Sequence, residues 1–264
     1  MAGYTTAAFR RVLADHGAPV LWTEMVSAAA MFYGNKKTLT LLEIDVGRDA
    51  PHTPPTVVQL FGKDPKHFDH AIKSGHLNDF AEININMGCP ANKIIKNGEG
   101  VGLMKNPDRA REIIVACINA SNELQKPLPV SVKMRLGDKA GFNYVEFARM
   151  CESAGATRLI VHGRYAEQGY SGTADWNAIA EIVRAVKIPV IANGDIRTAD
   201  DAKRCIDQTK AAGVMVGRAL LPLYRKYFPQ NLRILRGEKI CKSGGIDPIA
   251  DNITRLFGVC DAAH

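Results

Sequence analysis

Ile83-Asn84-Ile85-Asn86-Met87-Gly88-Cys89-Pro90 is the stretch on which the fold turns. Its apolar residues alternate with asparagines, the period of a strand, and Gly-Cys-Pro then stops the run because it suits neither strand nor helix. Cys89 is therefore expected on a loop at the carboxyl end of a strand, where α/β enzymes carry their chemistry. The plainer reading is a small packing thiol, the commonest use of a cysteine. What surrounds it along the chain decides between them.

Outward from this stretch, short β-branched runs recur with helical patterns between them. Strands are expected at Val20–Thr23, Val57–Phe61, Glu82–Asn86, Pro129–Met134, Arg158–His162, Pro189–Asn193 and Gly213–Val216. Helices are expected near Thr5–His16, Ser27–Tyr33, Pro65–Ser74, Pro107–Glu123, Asn143–Ala154, Asp175–Val186, Thr198–Ile206 and Leu220–Tyr227. Pro65 and Pro107 suit first-turn positions, Thr198 precedes the acids Asp200 and Asp201, and Gly155 suits a helix stop. This alternation implies a parallel sheet, and 264 residues is an ordinary length for one α/β barrel. The expected class is thus an α/β, (β/α)8 TIM barrel with its first strand largely missing, since only Met1-Ala2-Gly3-Tyr4 precedes Thr5. Thr38–Asp45 reads as an extra hairpin arm.

Hydrophobic residues make up 46% of the chain, ample for one core, yet no apolar run approaches the roughly 20 residues of a membrane span. The opening residues lack the layout of a signal peptide, so a cytoplasmic location is expected. Six cysteines without a C-x-x-C pair argue against disulfides or a zinc site, and Cys117, Cys151 and Cys205 read as helix packing residues. His67 and His70 read as a helix face, not a metal site. The net charge is +7, and the segment from Arg218 to Lys242 alone carries +6 of it, with Tyr224, Tyr227 and Phe228 interleaved. Such a segment suits a phosphate backbone, although a solvated amphipathic helix accounts for it equally.

Successive strands end on polar or cationic residues: Gln59, Asn86, Lys133 with Arg135, His162 with Arg164, Asn193 with Asp195, and Gly217 with Arg218. One such residue means little; the repetition at one end of consecutive units marks a functional rim. Gly194 and Gly217 each follow a strand and lead towards a helix, an arrangement that aims backbone N–H groups at phosphate. Gly98-Glu99-Gly100-Val101-Gly102 follows the Cys89 loop and not a strand, so it is not a dinucleotide fingerprint.

The segments NMGCP, KNGEG-x-GLMKNP, SVKMRLG, LIVHGR, ADW, IPVIANGDI and MVGRALL, in this order, resemble the flavin-dependent tRNA-dihydrouridine synthases, as does the opening MAGYTTAAFR. The resemblance implies an FMN barrel over 1–225 that reduces uridine in tRNA, NADPH supplying the electrons. It implies Cys89 as general acid, and Met1, Gln59, Lys133, His162, Asn193, Gly194, Asp195, Gly217 and Arg218 as cofactor-binding residues. Asn86, Arg135 and Arg164 fall at positions that hold the target uracil. Lys93, Lys96 and Lys105, with the basic segment, are candidates for the tRNA backbone, and residues 226–264 are expected to form a short, basic, partly helical tail, a reduced tRNA-binding module. A monomer that does not enter membranes is expected. Two alternatives stay open: an FMN barrel acting on a small pyrimidine or enone, and a truncated, non-catalytic RNA-binding relative.

Overall fold

The computed structural model describes residues 3–44 and 54–225, together with Arg255. Within them the apolar runs form seven strands: β1 (Leu21–Ser27), β2 (Thr56–Phe61), β3 (Glu82–Met87), β4 (Val130–Met134), β5 (Arg158–His162), β6 (Val190–Asn193) and β7 (Gly213–Met215). They form one sheet in chain order, each strand parallel to its neighbours. All seven overlap the runs read from the sequence, with β1 extending past the expected Thr23 to Ser27. Parallel neighbours need a crossover, and the helices between them supply it on the outer face. β1 carries a register irregularity between Trp22 and Met25, where the Thr23 hydroxyl accepts the Gln59 amide at 3.0 Å.

The crossover helices are α1 (Ala7–Asp15), α2 (Ala28–Phe32), α3 (Lys36–Leu39), α4 (Pro65–Lys73), α5 (Asn92–Lys96), α6 (Pro107–Asn122), α7 (Tyr144–Ser153), α8 (Trp176–Ala185) and α9 (Ala199–Thr209). Most begin where a polar side chain accepts an otherwise unpaired amide: Thr6, Ser27, Asp64, Asn106, Asn143 and Asp175 all do so. α9 opens on a full capping box, Thr198 with Asp201. Gly155, at φ 98°, follows the end of α7 as expected. The core lies between sheet and helices, with Leu60, Ile83, Ile85, Val132 and Leu159 facing Phe68, Ile113, Cys117, Cys151, Ile182 and Cys205. The three helical cysteines are therefore packing residues, with thiols that burial pushes up. The rings of His67 and His70 pack on Phe32, centroids 4.5 and 5.2 Å away.

One expectation is corrected. The stretch read as a hairpin arm is helical over most of its length, as α3 and a 3-10 turn at Thr40–Leu42, with the Asn35 side chain accepting the Lys37 amide at the start. Leu42 and its neighbours face the core with a helical period, which a hairpin standing off the barrel would waste. Asp45 and most of the basic segment lie outside the described residues, as does the end of the helix expected at Leu220–Tyr227.

β1 and β7 end the sheet, and among the described residues no strand joins them. A second hydrophobic cluster stands beside these edges: Phe9, Val12 and Leu13 of α1 pack with Leu21, Leu220, Leu223 and Tyr224. The Tyr224 ring meets Tyr4 and Phe9 edge-on, both at 5.1 Å.

Candidate active site

Strand register assembles the rim. Asn86 pairs with Lys133 across β3 and β4, and His162 pairs with Asn193 across β5 and β6. Side chains two apart on a strand share a face, so Gln59, Asn84, Asn86, Ser131, Lys133 and His162 turn together into the ring. They line, or lie just beneath, a cavity of about 790 Å³ that also takes in Cys89, Arg135, Tyr170, Gly194, Asp195, Gly217 and Arg218. The same cavity runs down between Leu13, Val20 and Trp22 on one side and Val214, Val216 and Leu220 on the other, the two open strand edges.

Cys89 is half-buried on the loop after β3. The Asn86 carboxamide oxygen accepts the amides of both Gly88, at 3.2 Å, and Cys89, at 2.9 Å, which turns the chain sharply off the strand. Arg135 Nε donates to the Gly88 carbonyl at 3.1 Å and its Nη1 to the Tyr165 carbonyl at 3.0 Å. The Cys89 carbonyl accepts the Val101 amide at 3.2 Å. Gly100 passes so close behind that a β-carbon there would lie 2.8 Å from the Cys89 carbonyl oxygen, and its φ is +58°. Only glycine fits.

The other wall is a cationic cradle. Lys133 Nζ donates to Asn193 Oδ1 at 3.1 Å, and Asn193 Nδ2 donates to the Met215 carbonyl at 2.8 Å. Burial, reinforced by the charge of Arg135 and only partly offset by Cys89, lowers the Lys133 pKa to about 8. Burial also lowers His162, to about 2, with Lys133, Arg135, Arg164 and Arg218 all adding to the effect. His162 is thus neutral at pH 7. Its Nε2 lies 3.2 Å from Arg164 Nη1, an obligate donor, which leaves the ring proton on Nδ1. Burial opposes the ionisation of Asp195, but the Arg164 hydrogen bond, the Ala174 amide and the charges of Arg164 and Arg218 outweigh it and hold the carboxyl below its usual range. Gly194, at φ +120°, leaves no room for a β-carbon, which would sit 2.7 Å from Ala174 Cβ and 2.9 Å from His162 Cδ2.

The structure brings the sequence-derived residues Gln59, Asn86, Cys89, Lys133, Arg135, His162, Asn193, Gly194, Asp195, Gly217 and Arg218 around one cavity. Met1 lies outside the described residues. Arg164 is differently placed from its neighbours: it is 1% exposed and spends its donors on the Ser171 and Gly172 carbonyls, His162 and both oxygens of Asp195. It braces the loop after β5 from within. The α9 N-terminus is filled by its own Asp201, whereas a β-carbon at Gly217 would meet nothing nearer than Asn193 Nδ2 at 4.0 Å. Lys93 and Lys96 are exposed on α5, and Lys105 pairs with Asp138 at 3.0 Å. Sequence reasoning missed Tyr170, an exposed ring on the loop after β5 with the Arg218 guanidinium 4.6 Å and the Arg135 guanidinium 5.7 Å from its centroid. It named Gly100 only within a glycine run set aside as a dinucleotide fingerprint, and did not read the close approach behind Cys89.

Fold and site together define an α/β barrel whose strand-end cleft holds a loop cysteine against a cationic wall. The chain belongs to the dihydrouridine synthase family: the model described as Dihydrouridine synthase (Dus) matches residues 1–223. It is 41% identical over 219 residues to a probable tRNA-dihydrouridine synthase of Rhodobacter capsulatus, a match that covers 83% of this chain and 65% of that protein. It is 36% identical over 220 residues to tRNA-dihydrouridine synthase B of Pseudomonas aeruginosa, covering 83% of this chain and 63% of that one. The chain therefore spans a little under two thirds of these curated relatives. Among solved structures, a putative phosphonomutase of Burkholderia cenocepacia J2315 superposes with a TM-score of 0.58 at 19% identity, over 88% of this chain and 91% of that one. That likeness is one of fold. No helix among the described residues is long and apolar enough to cross a membrane.

Proposed function

We propose that this chain is a tRNA-dihydrouridine synthase barrel, which reduces the 5,6 double bond of uridine in tRNA with FMN as cofactor and NADPH as electron source. The observation that carries the reading is the placement of Cys89: a thiol pinned at a strand end, facing the same cavity as a buried cationic cradle. The cradle suits FMN on its own chemistry. Among the described lining residues Asp195 is the only carboxylate, against Lys133, Arg135, Arg197 and Arg218, and the anionic phosphate of FMN offsets that excess. Lys133, His162, Asn193, Gly194, Gly217 and Arg218 would hold it, with Gln59 and Asp195 behind them. FMN held there in its reduced form would be the source of hydride for one carbon of the uracil double bond.

The chain's own residues do the rest. Cys89 keeps a proton on Sγ for the other carbon, where the developing enolate needs a positioned acid. Asn86 and Arg135 fix the loop that bears it, and the Arg135 guanidinium stands ready to meet the uracil carbonyls. Tyr170 offers a stacking face to a base drawn out of the tRNA helix. Exposed Lys93 and Lys96, on the helix that follows the Cys89 loop, and the basic residues that the sequence carries after Arg218 are candidates for contact with a phosphate backbone.

The test is mass spectrometry of dihydrouridine in tRNA from a strain lacking the modification, incubated with protein, FMN and NADPH. Dihydrouridine is expected with the native chain. Cys89→Ala is expected to keep flavin absorbance yet lose ~100-fold or more of the turnover, the usual worth of a positioned acid. Reduction of a free pyrimidine or enone without action on tRNA would replace this reading with the small-molecule alternative. A colourless protein that still binds tRNA would replace it with the non-catalytic one.

A further inference from the structure

Beneath Cys89 a run of buried polar side chains crosses β2 to β5, passing from Asn86 and Gln59 to Asn84, Ser131 and Glu82, three residues that the proposed reaction does not use. Register lays it out: Gln59 lies beside Asn84, Asn84 beside Ser131, and Ser131 beside Arg158. Every link donates in the same direction. The Cys89 amide donates to Asn86 Oδ1 at 2.9 Å, and Asn86 Nδ2 donates to Gln59 Oε1 at 2.9 Å. Gln59 Nε2 donates to Asn84 Oδ1, and Asn84 Nδ2 to Ser131 Oγ, each at 2.8 Å. The Ser131 hydroxyl donates to the Glu82 carboxylate, which also receives Arg158. Asn84 and Ser131 are completely buried, and Glu82 and Asn86 each show 5% exposure.

A carboxamide has one donor end and one acceptor end, so turning one link over forces the next to turn. The two ends of this chain cannot turn. The Glu82 carboxylate, ion-paired with Arg158, only accepts; the Gly88 and Cys89 amides only donate. Ser131 must therefore give its proton to Glu82, which leaves its lone pairs for Asn84, and the constraint passes through Gln59 to Asn86. We infer that Glu82 and Ser131 are positioning residues for Cys89: through Asn84 and Gln59 they hold Asn86 with its oxygen towards the loop amides, and so fix the loop that carries the thiol. A satisfied buried network of this kind specifies one geometry; a broken one leaves a buried donor without a partner. The kinetic part of this inference rests on the proposed function, but the positioning of the thiol does not.

The experiment therefore reads Cys89 directly, as its iodoacetamide alkylation rate in the folded protein, followed by peptide mass. Ser131→Ala removes the acceptor for Asn84 and the donor to Glu82, and is expected to change that rate about tenfold, the factor carried by one misdirected hydrogen bond. Ser131→Thr keeps the hydroxyl and is expected to stay within about twofold of the native rate. Ser121→Ala is the control. Its buried hydroxyl bonds the Leu128 backbone outside the run, so it is expected to lose stability without altering Cys89. Glu82→Gln is expected to have a smaller effect than Ser131→Ala, about threefold, because half-exposed Arg158 can turn to water and relieve part of the mismatch.

With tRNA as substrate, Ser131→Ala is expected to lower kcat by a similar factor and leave KM near its native value. Native alkylation rates in both Ser131→Ala and Glu82→Gln would overturn the inference. So would an equal change in Ser121→Ala, which would mean general loosening. Should Ser131→Ala not fold, Glu82→Gln decides, and an unchanged rate there overturns it. If the native chain reduces no uridine, the proposed function fails while the alkylation rates still settle this point.

Discussion

The centre of the sheet and its two edges are held by different forces. β3 is buried at all six of its positions and is flanked on both sides by parallel ladders. β7 is three residues long with two of them half-buried, and beside it the side chains of α1 and residues 220–224 pack in an apolar cluster. The centre combines backbone ladders, an apolar outer face and a polar inner run, so its geometry is over-determined. The edges rest on aromatic and aliphatic packing, which is non-directional and sets position less sharply. The chemistry sits with the former: Cys89, Asn86, Lys133 and Arg135 all stem from β3 and β4, whereas the cavity wall spans both regions.

That contrast can be broken by substitution. Ile85→Ala, at a position with no exposure, is expected to cost about 2–5 kcal/mol, whereas Val214→Ala at the half-buried edge costs about 1 kcal/mol. Urea denaturation of both variants measures the gap, and equal losses would mean that the edge is as tightly packed as the centre. Gly100→Ala tests the centre's sharpness: strain at φ +58° and a contact 2.8 Å from the Cys89 carbonyl are expected to cost about 1–3 kcal/mol and to displace the loop. The same change at Gly3, where φ is +77° but nothing lies within 4 Å, carries the backbone strain without the collision and is expected to cost less.

The last effect concerns pH. His162 takes a proton near pH 6.5 when unfolded but only near pH 2 when folded, so the unfolded state binds more protons between these values and stability falls as pH drops below 6.5. The slope is at most ~1.4 kcal/mol per pH unit. Melting temperatures at pH 7 and pH 5 are expected to differ less in His162→Gln than in the native chain. Lys133 behaves in the same sense higher up. Its folded pKa of about 8 lies below the unfolded 10.5, so its burial penalty is relieved as pH rises through that window.

The sequence carried the seven strands because each is a short β-branched run bounded by breakers, and the caps at Pro65, Pro107 and Thr198 because capping is a local event. It carried the rim residues because strand period two puts Gln59, Asn86, Lys133, His162 and Asn193 at corresponding places. It did not carry α3, since TLTLLEID satisfies strand and helix patterns alike and only the core beside Leu42 chose between them. The short helix α5 escaped notice for want of a full amphipathic turn pattern. The brace role of Arg164 was equally hidden, because an arginine in HGR reads the same whether it points at a ligand or at its own loop.

Residue order by itself thus determined the parallel α/β barrel and the cysteine at the end of its third described strand, both consequences of local period and local punctuation. Tertiary structure alone decided which polar side chains turn to the cavity, which turn to one another, and in which sense the buried amides point. Those choices depend on partners that lie on different strands, such as Asn84 and Ser131, 47 residues apart. Hydrogen-bond direction is a property of the assembled network, and no single residue in the sequence carries it.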